Sequence, residues 1–586
     1  MSNACLNAFG SLVSYRISSP SLGAYKRLDL CGNSFNKKKP LRTVSVHNTN
    51  TEPLQAIVLS YPTETSTQNE PRQTLEYHPT IWDENLIESI HSPYADGAFN
   101  TRIEELKVEV KHLFGVAYDT ADELELVDKV QRLGLAYQFS EEIDNVLARV
   151  YREGLESLHG LNDTALCFRL LRQNGYNVSS DVFNKFRDEE GFMKCLADDA
   201  KGLLSLYEAA HLAIPDENIL DEAKEFSTEH LRKLLIKEDK NSSIVELIKQ
   251  SLEAPLHCLM PRIAARNYID FYEEEERKSS CLLELAKLDF NVVQALHQKE
   301  VKELSRWWED LGLAKKTTFF RDRLFESYFW ASQIAPEPKF SKFRIINTKF
   351  ALIATVVDDF YDLYGSIEEA RIFTSAIRSW DVKAMETLPD DLKMCYLSWL
   401  NFANETMYDI LKTYGWEAAQ IFKPEWVCLC ESHLKQAEWL HEGYTPSLEE
   451  YLHNDLVFGG LTIPVHAYYF VEENLTEETL DWRKKAYQIS YLSALIVRLT
   501  DDLAPSENER WSRVAVRGGP RIAFEGGRER GGARVWGKVL AANQWNLGLR
   551  ELGRTVRCGG TLASRGDASW SSCHDTGELG PVLELV

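Results

Sequence analysis

The sequence predicts an all-α protein with two helical domains, and three observations support this prediction. Apolar residues recur at helical spacing in segments such as LARVYREGLESL and LCFRLLRQNGY, whereas strand-like alternation is nearly absent. The chain shows neither a glycine-rich phosphate loop nor the alternation of strands and helices that builds a parallel sheet. At 586 residues it exceeds one ordinary hydrophobic core, so two domains are expected.

The chain divides into four segments by composition. Within residues 1–60, the stretch that ends at Ser45 is rich in serine and basic residues and contains one acid, Asp29, which is typical of a plastid transit peptide. A disordered tail without a targeting role is the alternative. We expect an N-terminal helical domain over residues 61–275 and a C-terminal, metal-binding catalytic domain over residues 276–510. The boundary is placed at the acidic run Glu273 to Arg277, which is typical of a solvated helix end or linker.

Residues 511–586 form a different segment. They are dense in glycine and arginine, contain a single lysine, Lys538, and have no tyrosine. Because glycine is a poor helix former, helical periodicity fades and we expect poor order there. The abrupt change is interpreted as a shifted reading frame or a retained intron, which would leave the catalytic domain truncated.

Charge and cysteine usage exclude several classes of protein. The net charge of −23 argues against nucleic acid as a partner, and no apolar run is long enough to span a membrane. The eleven cysteines are scattered, as expected of reduced thiols. The tightest group, Cys428, Cys430 and His433, is conceivable as a zinc site but lacks a second ligand pair, so buried structural residues are favoured. The sequence does not indicate an oligomeric state.

Three aspartates follow an apolar helix in the segment VVDDFYDLYG. If this segment is α-helical, Asp358 and Asp362 lie on one face and Asp359 lies about 100° around the axis. Carboxylates placed in this way can share Mg²⁺, which prefers oxygen ligands. The preceding FALIATVV is apolar on every side, which predicts a helix at the centre of a bundle. An acidic helix end without a metal is the alternative.

A second acidic group follows another apolar helix, in RLTDDLAPSENE. Asp501 and Glu509 are separated by about two helical turns, close to one face, and Arg498 precedes them. Two acidic helices that face one another would form a site for several metal ions.

Basic and aromatic residues precede the first acidic group, in FFRDRLFESYFWA. Arg321 and Arg323 carry guanidinium groups, which suit bidentate binding of phosphate, although such a cluster is usually a surface ion-pair network. Trp330 follows them, and Phe360 and Tyr361 flank the aspartates. Aromatic faces are usually part of a core, but in a dry pocket they stabilise cations.

Taken together, these motifs resemble those of plant class I terpene synthases over residues 72–510. The resemblance implies an N-terminal α-barrel-like domain, a C-terminal class I terpenoid synthase helical bundle, and three Mg²⁺ ions, with Mn²⁺ as an alternative. It implies that Asp358, Asp359 and Asp362 are catalytic, and that the metal ligands are Asp358, Asp362, Asp501 and Glu509. The implied substrate-binding set is Arg321, Arg323, Trp330, Asp358, Asp362, Arg498 and Asp501.

The implied reaction is metal-triggered ionisation of geranyl diphosphate to a monoterpene, an acyclic or cyclic olefin or alcohol. Such enzymes often carry paired arginines ahead of a tryptophan; here Arg72 is followed by Gln73, with Trp82 downstream. This partial match and the predicted plastid address favour geranyl diphosphate over farnesyl diphosphate, the substrate of a sesquiterpene synthase. A substrate-protonating class II activity is not expected, because LADDAKG, with Asp198 and Asp199, lacks the leading aspartate of a DxDD motif.

Two departures from the family pattern leave a second function open. Pro505 stands where the family has a serine or threonine ligand, and Ser506 is displaced by one residue. No counterpart of the helices that close the cavity is recognisable beyond Glu509. The alternative is therefore a catalytically impaired homologue that binds prenyl diphosphate without turnover.

Overall fold

The computed structural model describes residues 80–456, apart from 81, 83, 96, 117–118, 156–157, 215, 238–242, 318 and 416. Within these residues the fold is helical, as the sequence predicts, with one short hairpin of β1 (Arg187–Asp188) and β2 (Gly191–Phe192). The expectations for residues 1–60 and 511–586 concern segments outside the described residues.

The first half contains nine α-helices in the described residues. They are α1 (Glu84–Ser89), α2 (Asn100–Val116), α3 (Thr120–Arg132), α4 (Ser140–Glu153), α5 (Leu161–Gln173), α6 (Ala200–Ala210), α7 (Asn218–Lys237), α8 (Ser243–Glu253) and α9 (Pro261–Glu274). The second half has α10 (Ser280–Leu311), α11 (Leu313–Lys316), α12 (Leu324–Ile334), α13 (Ser341–Asp359), α14 (Ile367–Ser379), α15 (Asp390–Tyr414), α16 (Ala419–Glu442) and α17 (Leu448–Leu456).

Two large apolar clusters form the core, and α10 contributes to both. Leu282 and Leu285, near the start of α10, pack in the cluster built mainly from the first half of the chain. Leu304 and Trp308, near its end, pack in the cluster of the second half. With 32 residues the helix is about 48 Å long, enough to reach from one cluster to the other. The domain boundary at the acidic run therefore stays a prediction, because the helix after it belongs to both cores.

The apolar helix α13 lies at the centre of the second cluster. Every residue from Phe350 to Asp359 is buried, which agrees with the prediction of a central helix. It packs against α10, α12 and α15. Burial on every side explains why residues 350–357 of this helix have no polar face.

A buried ion pair joins α10 to α13. The Nε and Nη2 atoms of Arg344 donate to the two carboxylate oxygens of Glu300, at 2.8 and 2.7 Å. Its Nη1 donates to the carbonyls of Ala335 and Glu337, and Tyr328 Oη donates to Glu300 at 2.6 Å. Both charged groups are buried but satisfied, so the pair holds α10, α12 and α13 in register.

The acids of LADDAKG include a helix cap. Asp199 precedes α6, and its Oδ1 accepts a hydrogen bond from the backbone N–H of Gly202 at 2.8 Å. This is the ordinary role of an N-cap aspartate. The contact gives Asp199 a structural explanation that needs no catalysis.

Candidate active site

The aspartate motif bends away from regular α-helix at its centre. α13 ends at Asp359, and Phe360–Tyr364 form a π-helical turn in which Gly365 N–H donates to the carbonyl of Phe360 at 2.8 Å. The α-helical geometry considered for the motif therefore holds only as far as Asp359. A Cβ at Gly365 would lie 2.5 Å from Cε2 of Phe360, so the absence of a side chain lets the turn close over that ring. Such π turns are frequent at functional sites.

The turn nevertheless keeps the two predicted metal ligands together. One ligand atom each from Asp358, Asp362 and His433 lie within 4.8 Å of one another. Asp358 and His433 are buried and Asp362 is half-buried. Two carboxylates and an imidazole form a donor set that divalent metals use in proteins.

The guanidinium group of Arg321, in the segment before α12, contacts the buried carboxylates of Asp358 and Asp359. Arg321 donates to Asp359 Oδ2 from its backbone N at 2.7 Å and from Nε at 3.2 Å. Its Nη2 lies 2.6 Å from Asp359 Oδ1 and 2.8 Å from Asp358 Oδ2. Arg321, predicted to hold diphosphate, thus touches both aspartates, and Asp359, which is fully buried, is oriented by it.

The other predicted residues of this region lie beside α12. Arg323 is buried, and its Nη1 donates to the carbonyl of Asp322 at 2.9 Å. Burial raises the pKa of the Asp322 carboxyl. Trp330, on α12, is buried in the same apolar cluster as Phe360 and Tyr361. Arg321 contacts Asp358 and Asp359 directly, and the roles of Arg323 and Trp330 stay predictions.

Tyr361 connects the π turn to the neighbouring helices. Its ring stacks on that of His433, with centroids 5.3 Å apart and planes 9° from parallel. Thr374 Oγ1 donates to the carbonyl of Ala370, so it accepts from Tyr361 Oη, at 2.6 Å. Burial raises the pKa of Tyr361 well above its usual value, so the phenol stays neutral. The contacts hold the ring that supports His433.

The zinc alternative for α16 finds no support in the described residues. His433 groups with the aspartates of the π turn, whereas Cys428 and Cys430 are buried thiols outside that group. Burial raises the pKa of Cys430 to about 12, which disfavours the thiolate that zinc requires. The structural interpretation of these cysteines is the better supported one.

The sequence did not predict that His433 lies beside the aspartates. One signal was present: Ser432, His433 and Gln436 form a buried polar stripe on α16, whose neighbouring buried positions are apolar. The burial of Ser432 is explained by its hydrogen bond, because its hydroxyl donates to the backbone carbonyl of Asn454 at 2.7 Å. The stripe marks a polar interior, but it does not reveal which helix faces it.

The second acidic wall lies outside the described residues, and with it Arg498, Asp501, Pro505 and Glu509. Their roles therefore stay predictions. A cavity of about 340 Å³ lies elsewhere, beside α3, α5 and α9, and none of the predicted site residues that the structure describes lines it. Among the described helices, none is both long and apolar enough to cross a bilayer.

Comparison with known proteins identifies both halves of the chain. Residues 81–252 match the family profile "Terpene synthase, N-terminal domain", and residues 309–516 match "Terpene synthase family, metal binding domain". The trans-ocimene synthase, chloroplastic, of Litsea cubeba is 48% identical over 440 residues, covering 75% of each chain. The chloroplastic geraniol synthase of Cinnamomum tenuipile is 42% identical, covering 77% of this chain and 76% of the relative.

Solved structures agree with this assignment. Limonene synthase with 2-fluorolinalyl diphosphate superposes with a TM-score of 0.74 and 34% identity, covering 83% of this chain and 95% of that one. Isoprene synthase from grey poplar (Populus x canescens), in complex with three Mg²⁺ ions and dimethylallyl-S-thiolodiphosphate, superposes with a TM-score of 0.67 and 34% identity, covering 81% and 87%. With both family domains, this helical fold and acids that converge at the π turn, the chain belongs to the terpene synthase family of metal-dependent lyases.

Proposed function

We propose that the protein ionises geranyl diphosphate and converts it to a monoterpene, an acyclic or cyclic olefin or alcohol, with release of diphosphate. The observation that carries the proposal is the convergence of Asp358 and Asp362 at the end of a buried helix, beside Arg321. The ten-carbon substrate is favoured because relatives are named ocimene, myrcene and geraniol synthases. A fifteen-carbon substrate is the alternative.

The donor atoms fit a hard divalent cation. Asp358 and Asp362 present carboxylate oxygens close together, and the surroundings exclude much of the water that would otherwise screen their charges. We assign them as ligands for Mg²⁺, three ions in all, or for Mn²⁺, with Asp501 and Glu509 on the opposing wall. Bound metal ions would neutralise the negative charge that develops on the departing diphosphate.

The side chains of this chain then have separate tasks. Arg321 holds Asp359 and keeps the end of α13 in place, while its Nη2 also reaches Asp358. Arg321, Arg323 and Arg498 bind the diphosphate oxygens as the carbon–oxygen bond breaks. The rings of Trp330 and Phe360 stabilise the allylic cation until it loses a proton or gains water.

The test is an assay of the purified full-length chain with geranyl diphosphate and Mg²⁺, in which volatile products and released diphosphate are measured. We expect a monoterpene, and we expect Asp362→Asn to reduce diphosphate release by at least tenfold. Farnesyl diphosphate serves as the parallel substrate. Faster turnover of farnesyl diphosphate would contradict the assignment of geranyl diphosphate as the substrate. If neither substrate releases diphosphate, the proposed enzymatic activity is contradicted.

A second function, binding of prenyl diphosphate without turnover, is favoured by Pro505, which offers no hydroxyl where the family has a serine or threonine. Calorimetry with a non-hydrolysable diphosphate analogue, with and without Mg²⁺, separates the two functions. Metal-dependent binding without product would support the impaired homologue. Pro505→Ser is the matched variant, because it restores the hydroxyl.

We also propose that the protein acts in plastids. The proposal is supported by the basic, serine-rich N-terminus and by relatives named chloroplastic. A fusion of residues 1–70 to a fluorescent protein should enter plastids. A cytosolic signal would contradict the proposal.

A further inference from the structure

We propose that His433 is a direct ligand of the metal ion held by Asp358 and Asp362, and that its nitrogen shifts the preference of this site from Mg²⁺ toward Mn²⁺. The inference rests on the metal site of the proposed function and adds a third protein ligand from a different helix. It also explains a buried histidine that the reaction does not otherwise use.

The first support is distance. The ligand atoms of Asp358, Asp362 and His433 lie within 4.8 Å of one another. Around a cation with bonds of about 2.1 Å, opposite ligands are about 4.2 Å apart and adjacent ligands about 3 Å apart. Side-chain movements of about an ångström therefore bring all three atoms into one coordination sphere.

The second support is preorganisation. His433 is 2% exposed, and its ring lies parallel to that of Tyr361. Tyr361 is held by its hydrogen bond to Thr374, on α14, which packs against α16. Tyr361 directly precedes Asp362, so the same π turn positions one ligand and supports another. The stacked ring of Tyr361 fixes the plane of the imidazole and so reduces the reorganisation that metal binding requires.

The third support is donor chemistry. Mg²⁺ takes oxygen ligands and retains several waters, so an imidazole contributes little to its binding. Imidazole suits later divalent metals, and affinity for mixed nitrogen and oxygen sites rises from Mn²⁺ through Co²⁺. A site with two carboxylates and one imidazole should therefore discriminate in favour of Mn²⁺ more strongly than one with carboxylates alone.

The direct test is pulsed electron paramagnetic resonance of Mn²⁺ added to the full-length chain in a nitrogen-free buffer. We expect coupling to a ¹⁴N nucleus, and we expect the coupling to change when the protein carries ¹⁵N-labelled histidine. His433→Asn should lose it. The matched control is His441→Asn, an exposed position on the same helix, which should retain the coupling.

The second measurement is affinity. The ratio of the Mg²⁺ dissociation constant to that of Mn²⁺, measured by titration calorimetry, should fall about tenfold in His433→Asn and stay unchanged in His441→Asn. If His433→Asn does not fold, His433→Gln is measured in its place, because labelling alone does not distinguish His433 among the 14 histidines of the chain. Bound Mn²⁺ without nitrogen coupling would overturn the inference and leave the proposed function intact. No binding of Mn²⁺ at all would overturn both.

Discussion

Changing the adjacent acids Asp358 and Asp359 to asparagine should affect two different properties of the protein. Arg321 makes three close contacts with Asp359, at 2.6, 2.7 and 3.2 Å, and one with Asp358, at 2.8 Å. In the metal-free protein Asp359→Asn should therefore destabilise the fold, whereas Asp358→Asn should affect metal binding.

The magnitudes follow from burial. Breaking a buried ion pair costs about 3–5 kcal/mol, and Asp359 is 0% exposed. In Asp359→Asn, Arg321 keeps its ion pair with Asp358, so we expect the free energy of unfolding to fall by the lower end of that range, about 3 kcal/mol. In Asp358→Asn the guanidinium of Arg321 keeps its contacts with Asp359, and one of two adjacent negative charges is removed. The free energy of unfolding should therefore change by no more than about 1 kcal/mol. Acids placed for function commonly carry such a stability cost.

The assay is urea-induced unfolding of both variants in the presence of EDTA, followed by tryptophan fluorescence, with Mn²⁺ titration as the second measurement. Asp359→Asn should unfold at lower urea yet still bind Mn²⁺ when folded. Asp358→Asn should unfold near the wild-type midpoint and lose Mn²⁺ binding. Equal instability of Asp358→Asn and Asp359→Asn, or a folded Asp359→Asn that binds no metal, would contradict these different roles.

Three further changes test other parts of the structure. Gly365→Ala places a methyl group against the buried ring of Phe360, so we expect Mn²⁺ affinity to fall about tenfold while circular dichroism stays helical. Glu300→Gln leaves Arg344 as a buried unpaired charge and should lower the free energy of unfolding in urea by about 3–5 kcal/mol. Burial lowers the pKa of His297 to about 3, with nearby Arg344 acting in the same direction, and its unfolded pKa is about 6.5. Between these two pKa values the unfolded state binds more protons than the folded state, so the free energy of unfolding falls as the pH drops below about 6.5. In His297→Gln the difference in stability between pH 7 and pH 5 should be smaller, as measured by urea unfolding.

Much of the candidate site around the aspartates was predictable because its signals are local. Helical periodicity gave the fold class, and the apolar run before the aspartates placed them at the end of a central helix, as α13 shows. The spacing of Asp358 and Asp362 predicted that the two carboxylates share a cation, and their ligand atoms do lie close together. The π turn between them was not predictable from that spacing, since it depends on how Phe360 packs beneath Gly365.

The all-helical fold class and the order of the acidic, basic and aromatic motifs can be read from the sequence, because these properties depend on composition and short-range spacing. The pairing of Arg321 with both Asp358 and Asp359, and the position of His433 beside the same turn, depend on the tertiary structure. Those contacts join helices that are distant in the chain. Their geometry is set by the packing of α12, α13 and α16 around one core, and no local pattern encodes it.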